Sequence, residues 1–334
     1  MRTRGSVLKL SAGFCLLISA STLSAVDFTS PNDAMPMPSD WRAQPIRYEE
    51  PFRKADLVVT LGQQTHPALH QVIREYAAKN KLNIHIETGS CGVSAGRLNR
   101  KNVDVAAFCC PPGKTDRLPG LEFHTIGIAP IALITQRNNP IENLSMEEAR
   151  GIFRGGIREW QTISPLGDNP AHNHINPVGR LHCKVRPGHW HALLDKESDF
   201  SPTLFEVGVI QDMLSQVANK PGSIGYETLF MIRHYKMSDK IKYLKIDGMN
   251  PKLPEHTLTG RYPMYRTYNL TTWSDKHTRK APASALVTHL MEHVESEYRN
   301  YDFIPVSQLK RHGWKFNKDE LIGGPGNNDG VHKP

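Results

Sequence analysis

At 334 residues the chain is long for one hydrophobic core and suits two packed lobes. Charged residues make up 22% and the mean hydropathy is negative, which argues against an integral membrane protein; 25 glycines and 24 prolines imply many turns. The formal charge of +8 is spread along the chain, with no long basic run and no nucleic-acid-binding motif, so weak attraction for small anions is expected and nucleic acid is not.

Residues 1–25 have the pattern of a secretory signal peptide. Arg2, Arg4 and Lys9 supply the positive start, an apolar stretch runs from Phe14 to Leu23, and Leu23-Ser24-Ala25 offers small residues for cleavage. The apolar run is too short to span a bilayer, and Cys15 after Phe14 is a poor context for lipid attachment. Cleavage would start the mature chain near Val26 and lower the formal charge from +8 to +5. A soluble monomer in the periplasm or outside the cell is expected. Cys91, Cys109, Cys110 and Cys183 remain; in an oxidising compartment they permit two disulfides in three pairings, among which the sequence does not choose.

Residues 26–54, rich in Pro, Asp, Ser and Arg, read as an extended leader. An α/β alternation follows. Asp56 to Leu61 is a short apolar strand, and Thr65 with Pro67 opens a helix that carries Leu69, Val72, Ile73, Tyr76 and Ala77 at helical spacing. Leu82 to Glu87 alternates as a strand does, Gly89 to Gly92 turns into another helix, and Val103 to Phe108 is a buried-type strand. Ile126 to Thr135 is a nearly continuous apolar run suited to a central strand. Ser145 with Glu148 forms a capping box for a helix through Phe153. Residues 161–188 read as loop, Leu204 to Val217 as a helix, and Pro221 to Tyr226 as a turn and short strand. Tyr268 to Trp273 reads as a strand, Ala283 to Val294 as an amphipathic helix, and 316–334 as a tail. Strands alternating with helices predict α/β layers.

The order of these motifs resembles the phosphate-binding protein of bacterial ABC phosphate uptake, from about Asp56 to about Val294. Gly62-Gln63-Gln64-Thr65-His66-Pro67 resembles the family's first anion loop, Thr88-Gly89-Ser90-Cys91-Gly92 its second, and Val103 to Pro111 its third. Ile126 to Ile134 resembles the strand that crosses to the second lobe, and Tyr262-Pro263 the start of the return crossing. Asn143-Leu144-Ser145 through Ile152-Phe153 and Glu159-Trp160 resembles its "N-L-[ST] … I-F … W" stretch, and Pro221-Gly222-Ser223-Ile224-Gly225-Tyr226 its "P-G-[AS]-I-G-Y". The resemblance implies the α/β, two-lobed periplasmic binding protein fold with two crossing hinge strands. Lobe 1 would be residues 55–128 plus 262–315, and lobe 2 residues 129–261. It further implies capture of a small oxyanion in the interlobe cleft, no catalysis, no obligatory cofactor, and an ABC membrane permease as partner.

On that resemblance Thr65, Ser90, Cys91, Cys109, Arg186, His189 and His191 line the cleft. Thr65, Ser90 and the loop before His189 sit where helices begin, and Arg186 supplies a bidentate fork, with Arg180 as the next candidate. Helix capping is the other reading of Thr65 and Ser90. The sequence departs from the family at the lining itself. Cys109 stands where the family keeps a proton-accepting Asp, Cys91 where it keeps a second Ser, and His189-Trp190-His191 where it reads Ser-Gly-Thr. Imidazole and thiolate are ligands for soft or borderline metals, so Cys109, His189 and His191 are also a candidate metal set. His172, His174 and His182, with Cys183 among them, lie in the same stretch, and a loop of solvated histidines is the plain alternative. Three function classes stand at this point: an oxyanion carrier, a soft-metal or metalloid carrier on the same scaffold, and a degenerate sensor or partner module. An enzyme is disfavoured, since no G-x-S-x-G, HExxH or P-loop occurs, and the adjacent Cys109 and Cys110 are not spaced as a CxxC redox pair.

Overall fold

A computed structural model describes residues 28–164, 173–182 and 189–325. Residues 28–54 form a strap with one helical turn, α1 (Ser39–Ala43). The strap is tied down along its length. Met35 N donates to Arg117 O at 2.7 Å, and the buried Lys101 ammonium donates to Arg42 O and Gln44 O while lying 4.1 Å from the Trp41 ring centroid.

The first lobe grows from β1 (Leu57–Gly62), which is buried at every position. Such a strand needs cover on both faces. It obtains this from α2 (His66–Asn80), β2 (Ile84–Gly89), α3 (Cys91–Asn99) and β3 (Val105–Phe108), with β2 and β3 flanking β1 in parallel. β4 (Leu121–Gln136) then carries the chain between the lobes. Then come β5 (Asn143–Leu144), α4 (Met146–Arg154), β6 (Asn176–Gly179), β7 (Phe205–Glu206), α5 (Ile210–Asn219), β8 (Ser223–Thr228), α6 (Leu229–His234), β9 (Ile241–Tyr243), β10 (Lys245–Ile246) and α7 (Pro254–Leu258). β11 (Tyr265–Trp273) crosses back, followed by α8 (Ala281–Glu297), α9 (Val306–Arg311), β12 (Lys315–Asn317) and β13 (Glu320–Gly323). The main strand order is β2-β1-β3-β11-β4-β8-β6-β7, with β9 also on β4.

β4 belongs to both lobes. Its residues 121–130 pair antiparallel with β11, and 131–135 pair antiparallel with β8. The hand-over is tied by the buried Tyr262 hydroxyl, which donates to Ile131 O at 2.8 Å, and by Ile131 N, which donates to Met264 O at 2.9 Å. A bulge lies beside it: Tyr268 opposes Gly127 while Asn269 opposes Thr125, leaving Ile126 extra. Gly127 has φ +152°, and a Cβ there would sit 2.9 Å from Ile304 O, so the close approach of the 303–304 segment to β4 requires glycine.

The capping box is present. Ser145 Oγ accepts from Glu148 N at 3.1 Å, and Glu148 Oε2 accepts from Ser145 N at 2.7 Å. Leu286, Leu290 and Val294 form the buried face of α8. Two expectations need correction. The helix predicted from Leu204 starts only at Ile210, because Phe205–Glu206 pairs as β7 with β6 and the chain turns through Gly208. The stretch predicted as tail from 316 instead forms the β12–β13 hairpin, since Leu321 joins a small buried cluster with Ile128, Tyr265, Ile304 and Trp314, and Phe316 packs on it. Residues 326–334 and the signal-peptide segment 1–25 lie outside the described residues.

Candidate functional site

The strand ends of both lobes meet at one small cavity of about 140 Å³. From the first lobe, Gln63 and Gln64 follow β1, Ser90 and Cys91 follow β2, and Cys109 follows β3. From the second, Arg180 and His182 follow β6, and Arg266 enters from the crossing strand β11. Open α/β sheets place ligands in this position, outside the carboxyl ends of their strands. Larger hollows of about 370 and 440 Å³ lie near Glu122 and His124; the buried charges beside them, Arg117 and Glu320, are paired with each other at 2.8 and 2.6 Å.

The loop after β1 is a tight turn. Thr65 N donates to Gly62 O at 3.0 Å, and the Thr65 hydroxyl accepts from Gly62 N and donates to Gly62 O. This turn aims two amides at the other lobe. Gln63 Oε1 accepts from Arg180 Nη2 at 3.2 Å and from Ile210 N, at the start of α5, at 3.3 Å. Gln64 Nε2 donates to Glu227 Oε1 at 2.7 Å, and Tyr268 OH donates to Gln64 Oε1 at 3.2 Å.

Charge is concentrated beneath. Arg180, Arg266 and Glu227 are 2%, 1% and 0% exposed. Glu227 lies between the arginines, with Oε2 3.3 Å from Arg180 Nη1 and Oε1 3.8 Å from Arg266 Nη2. One carboxylate faces two guanidiniums, so the cluster carries a net charge of one positive unit. Arg180 Nε and Arg266 Nε and Nη2 are buried and make no hydrogen bond among the described residues. A buried charged donor left unpaired is costly, and an oxygen-rich anion in the cavity supplies the missing acceptors. The Arg266 guanidinium is held firmly protonated: burial opposes the charge, but Glu227 outweighs it. Burial, reinforced by Arg180, pushes His182 down to about 4, so its imidazole is neutral at pH 7, and its Nε2 lies 3.2 Å from Arg180 Nη2.

Sulfur forms the remaining wall. Cys91 Sγ and Cys109 Sγ lie 3.4 Å apart, and Cys109 N donates to Cys91 Sγ at 3.5 Å. The three sulfurs of Cys91, Cys109 and Cys110 all lie within 4.8 Å of one another. Arg266 Nη1 reaches Cys109 Sγ at 3.8 Å. The hydrogen bond with Cys110 lowers the Cys109 thiol, but the bond with Cys91 and burial outweigh it and push the group up to about 11.

The sequence-predicted residues fall into three groups. Ser90, Cys91 and Cys109 line the cavity, and Ser90 also caps α3, its Oγ accepting from Val93 N at 3.3 Å. Thr65 does not line it; its hydroxyl is spent on the turn that positions Gln63 and Gln64. Arg186, His172 and Cys183 lie outside the described residues, as does the side chain of His189. The metal set of Cys109, His189 and His191 is not brought together among the described groups. His191 stacks on Trp190 at 3.6 Å, and its Nδ1 lies 3.1 Å from Asp195 O, away from the cavity wall. The histidine on that wall is His182. Residue reading missed Gln63, Gln64, Glu227 and Arg266. For the last two a signal existed: each is a charged residue inside a strand buried at every position.

Two α/β lobes joined by β4 and β11, with a charged cavity at the facing strand ends, define a binding-protein architecture. The model of the PBP superfamily domain matches residues 48–292, and the chain belongs to that superfamily. Among solved structures, a putative phosphate ABC transporter substrate-binding protein with bound phosphate from Clostridium perfringens superposes with a TM-score of 0.63 at 17% identity, over 75% of this chain and 99% of that one. An ABC-type phosphate transport receptor from Vibrio cholerae gives 0.59 at 16% identity over the same shares. An H2O2-bound mutant of OxyR from Corynebacterium glutamicum gives 0.50 at 9% identity over 80% of this chain and 70% of that one. These likenesses establish the fold. Among the described residues no helix is long and apolar enough to cross a membrane.

Proposed function

We propose that this protein is an extracytoplasmic solute-binding protein that closes on a small oxyanion of the phosphate type, for delivery to a membrane permease. The observation that carries this reading is the buried pair of Arg180 and Arg266, which shares one carboxylate and keeps three N–H-bearing atoms without a hydrogen-bond partner among the described residues. The net positive charge of the cluster attracts an anion into the cavity. Because Glu227 already accepts from Gln64, Thr228 N and Arg180, it has little capacity left for a proton on the ligand. With Cys109 in place of an acceptor carboxylate, a ligand hydroxyl loses a partner at a cost of about 1–3 kcal/mol. Weak discrimination between protonated phosphate and sulfate follows. Native mass spectrometry of the exported protein, followed by calorimetry with phosphate and sulfate, tests the reading. A bound oxyanion, and affinities for the two anions within about tenfold of each other, are expected. Failure to bind either anion refutes the oxyanion assignment, and tight phosphate binding with strong rejection of sulfate refutes the lost-acceptor argument.

A further inference from the structure

Cys91, Cys109 and Cys110 are 2%, 7% and 1% exposed, and their sulfurs converge within 4.8 Å. Neither the anion reading nor packing alone accounts for three buried sulfurs aimed at one another beside a cavity. We propose that this cluster is a three-coordinate thiolate site for a divalent thiophilic metal ion of the zinc–cadmium–mercury type, entered through the interlobe cavity.

Geometry comes first. With metal–sulfur bonds of about 2.3 Å, three sulfurs around one ion form a triangle about 4 Å on a side. The Cys91–Cys109 separation is 3.4 Å, and the other two are no more than 4.8 Å, so each edge adjusts by less than about an ångström. The backbone fixes two corners: Cys91 is the first residue of α3, and Cys109 follows directly on β3. Access is provided because Cys91 and Cys109 both line the cavity.

Charge is the second argument. A divalent ion displaces three thiol protons and leaves a tris-thiolate complex with one net negative charge. Arg180, Arg266 and Glu227 together carry one net positive charge, and Arg266 Nη1 already lies 3.8 Å from Cys109 Sγ. The complex and its surroundings therefore neutralise each other in a site where an uncompensated charge is costly. Soft thiolate ligands also select such ions over magnesium or calcium. The Cys109 N–H donated to Cys91 Sγ supports a sulfur that gains negative charge. A metal complex and an oxyanion draw on the same arginines, so binding of one weakens the other, reciprocally.

The test uses cadmium(II) added to the fully reduced full-length mature protein under anaerobic conditions. One ion per chain is expected, with thiolate-to-cadmium absorption in the near ultraviolet and three sulfurs in the first shell by X-ray absorption spectroscopy. Cys91→Ser, Cys109→Ser and Cys110→Ser should each weaken binding by at least about 100-fold, beyond the effect usual for an outer-shell partner. Should a cysteine variant fail to fold by circular dichroism, the sulfur count on wild type decides. Fewer than three sulfurs, no binding by reduced protein, or retention of tight binding in Cys91→Ser overturns the proposal. A loss of phosphate binding with intact cadmium binding refutes the anion reading and leaves the thiolate site standing.

Discussion

Glu227→Gln isolates the charge arrangement at the heart of the cavity. The substitution keeps the shape and an amide oxygen that still accepts from Gln64 Nε2 and Thr228 N, bonds of 2.7 and 2.8 Å in the wild type. It sets an NH2 group against Arg180 Nη1, 3.3 Å from the present carboxylate oxygen, and leaves two guanidiniums without a counter-charge at 2% and 1% exposure. Removing one partner of a buried ion pair costs about 3–5 kcal/mol. At about 1.5 °C per kcal/mol for a chain of this length, the melting temperature without anions should fall by about 5–8 °C. Phosphate or sulfate should then recover more stability in the variant than in wild type, because the ligand replaces the missing charge. Differential scanning calorimetry with and without anion reads both effects. A variant that melts within about 1 °C of wild type, with the same response to anion, would mean that Glu227 does not balance the two arginines.

Three further outcomes are expected. Arg266→Met should weaken the bound oxyanion by about 2–5 kcal/mol in calorimetry, the usual cost of truncating a desolvated charge partner; unchanged affinity would remove Arg266 from the site. His182, depressed from 6.5 to about 4 by burial and by Arg180, stays neutral in the fold while the unfolded chain takes up a proton. Its contribution is present above pH 6.5 and is lost as the pH falls towards 4, so urea denaturation of His182→Asn should show a shallower loss of stability across that window than wild type, and equal slopes would contradict the assignment. Ser145→Ala should cost about 1 kcal/mol in the same assay by removing the N-cap of α4, and no change would mean that the capping box adds nothing.

The elements that were legible in the sequence are those whose local pattern carries its own physics. The capping box at Ser145, the apolar run that becomes β4 and the face of Leu286, Leu290 and Val294 on α8 each occur as predicted, because capping and burial periodicity are local properties. The helix start at Ile210 was not legible, since apolar residues from Leu204 onward fit a helical face and only pairing with the distant β6 makes Phe205–Glu206 a strand. The site was legible as loops and not as charges. Ser90, Cys91 and Cys109 stand in glycine-rich or cysteine-bearing turns that draw attention, whereas Glu227 and Arg266 are interior strand residues whose charges meet only after β8 and β11 come together through β4. Arg186 follows from the resemblance to the family's ligand arginine and lies outside the described residues, whereas Arg180, just after β6, lines the described cavity together with Arg266.

Arg180 and Arg266 are expected to hold a small oxyanion between the lobes. A crystal structure of the protein grown with phosphate tests this most directly. A tetrahedral anion is expected in the cavity between Cys109, Gln63 and His182, accepting hydrogen bonds from Arg180 and Arg266 N–H groups at about 2.7–3.0 Å. An anion bound elsewhere, with both guanidiniums contacting only protein or water, would contradict it.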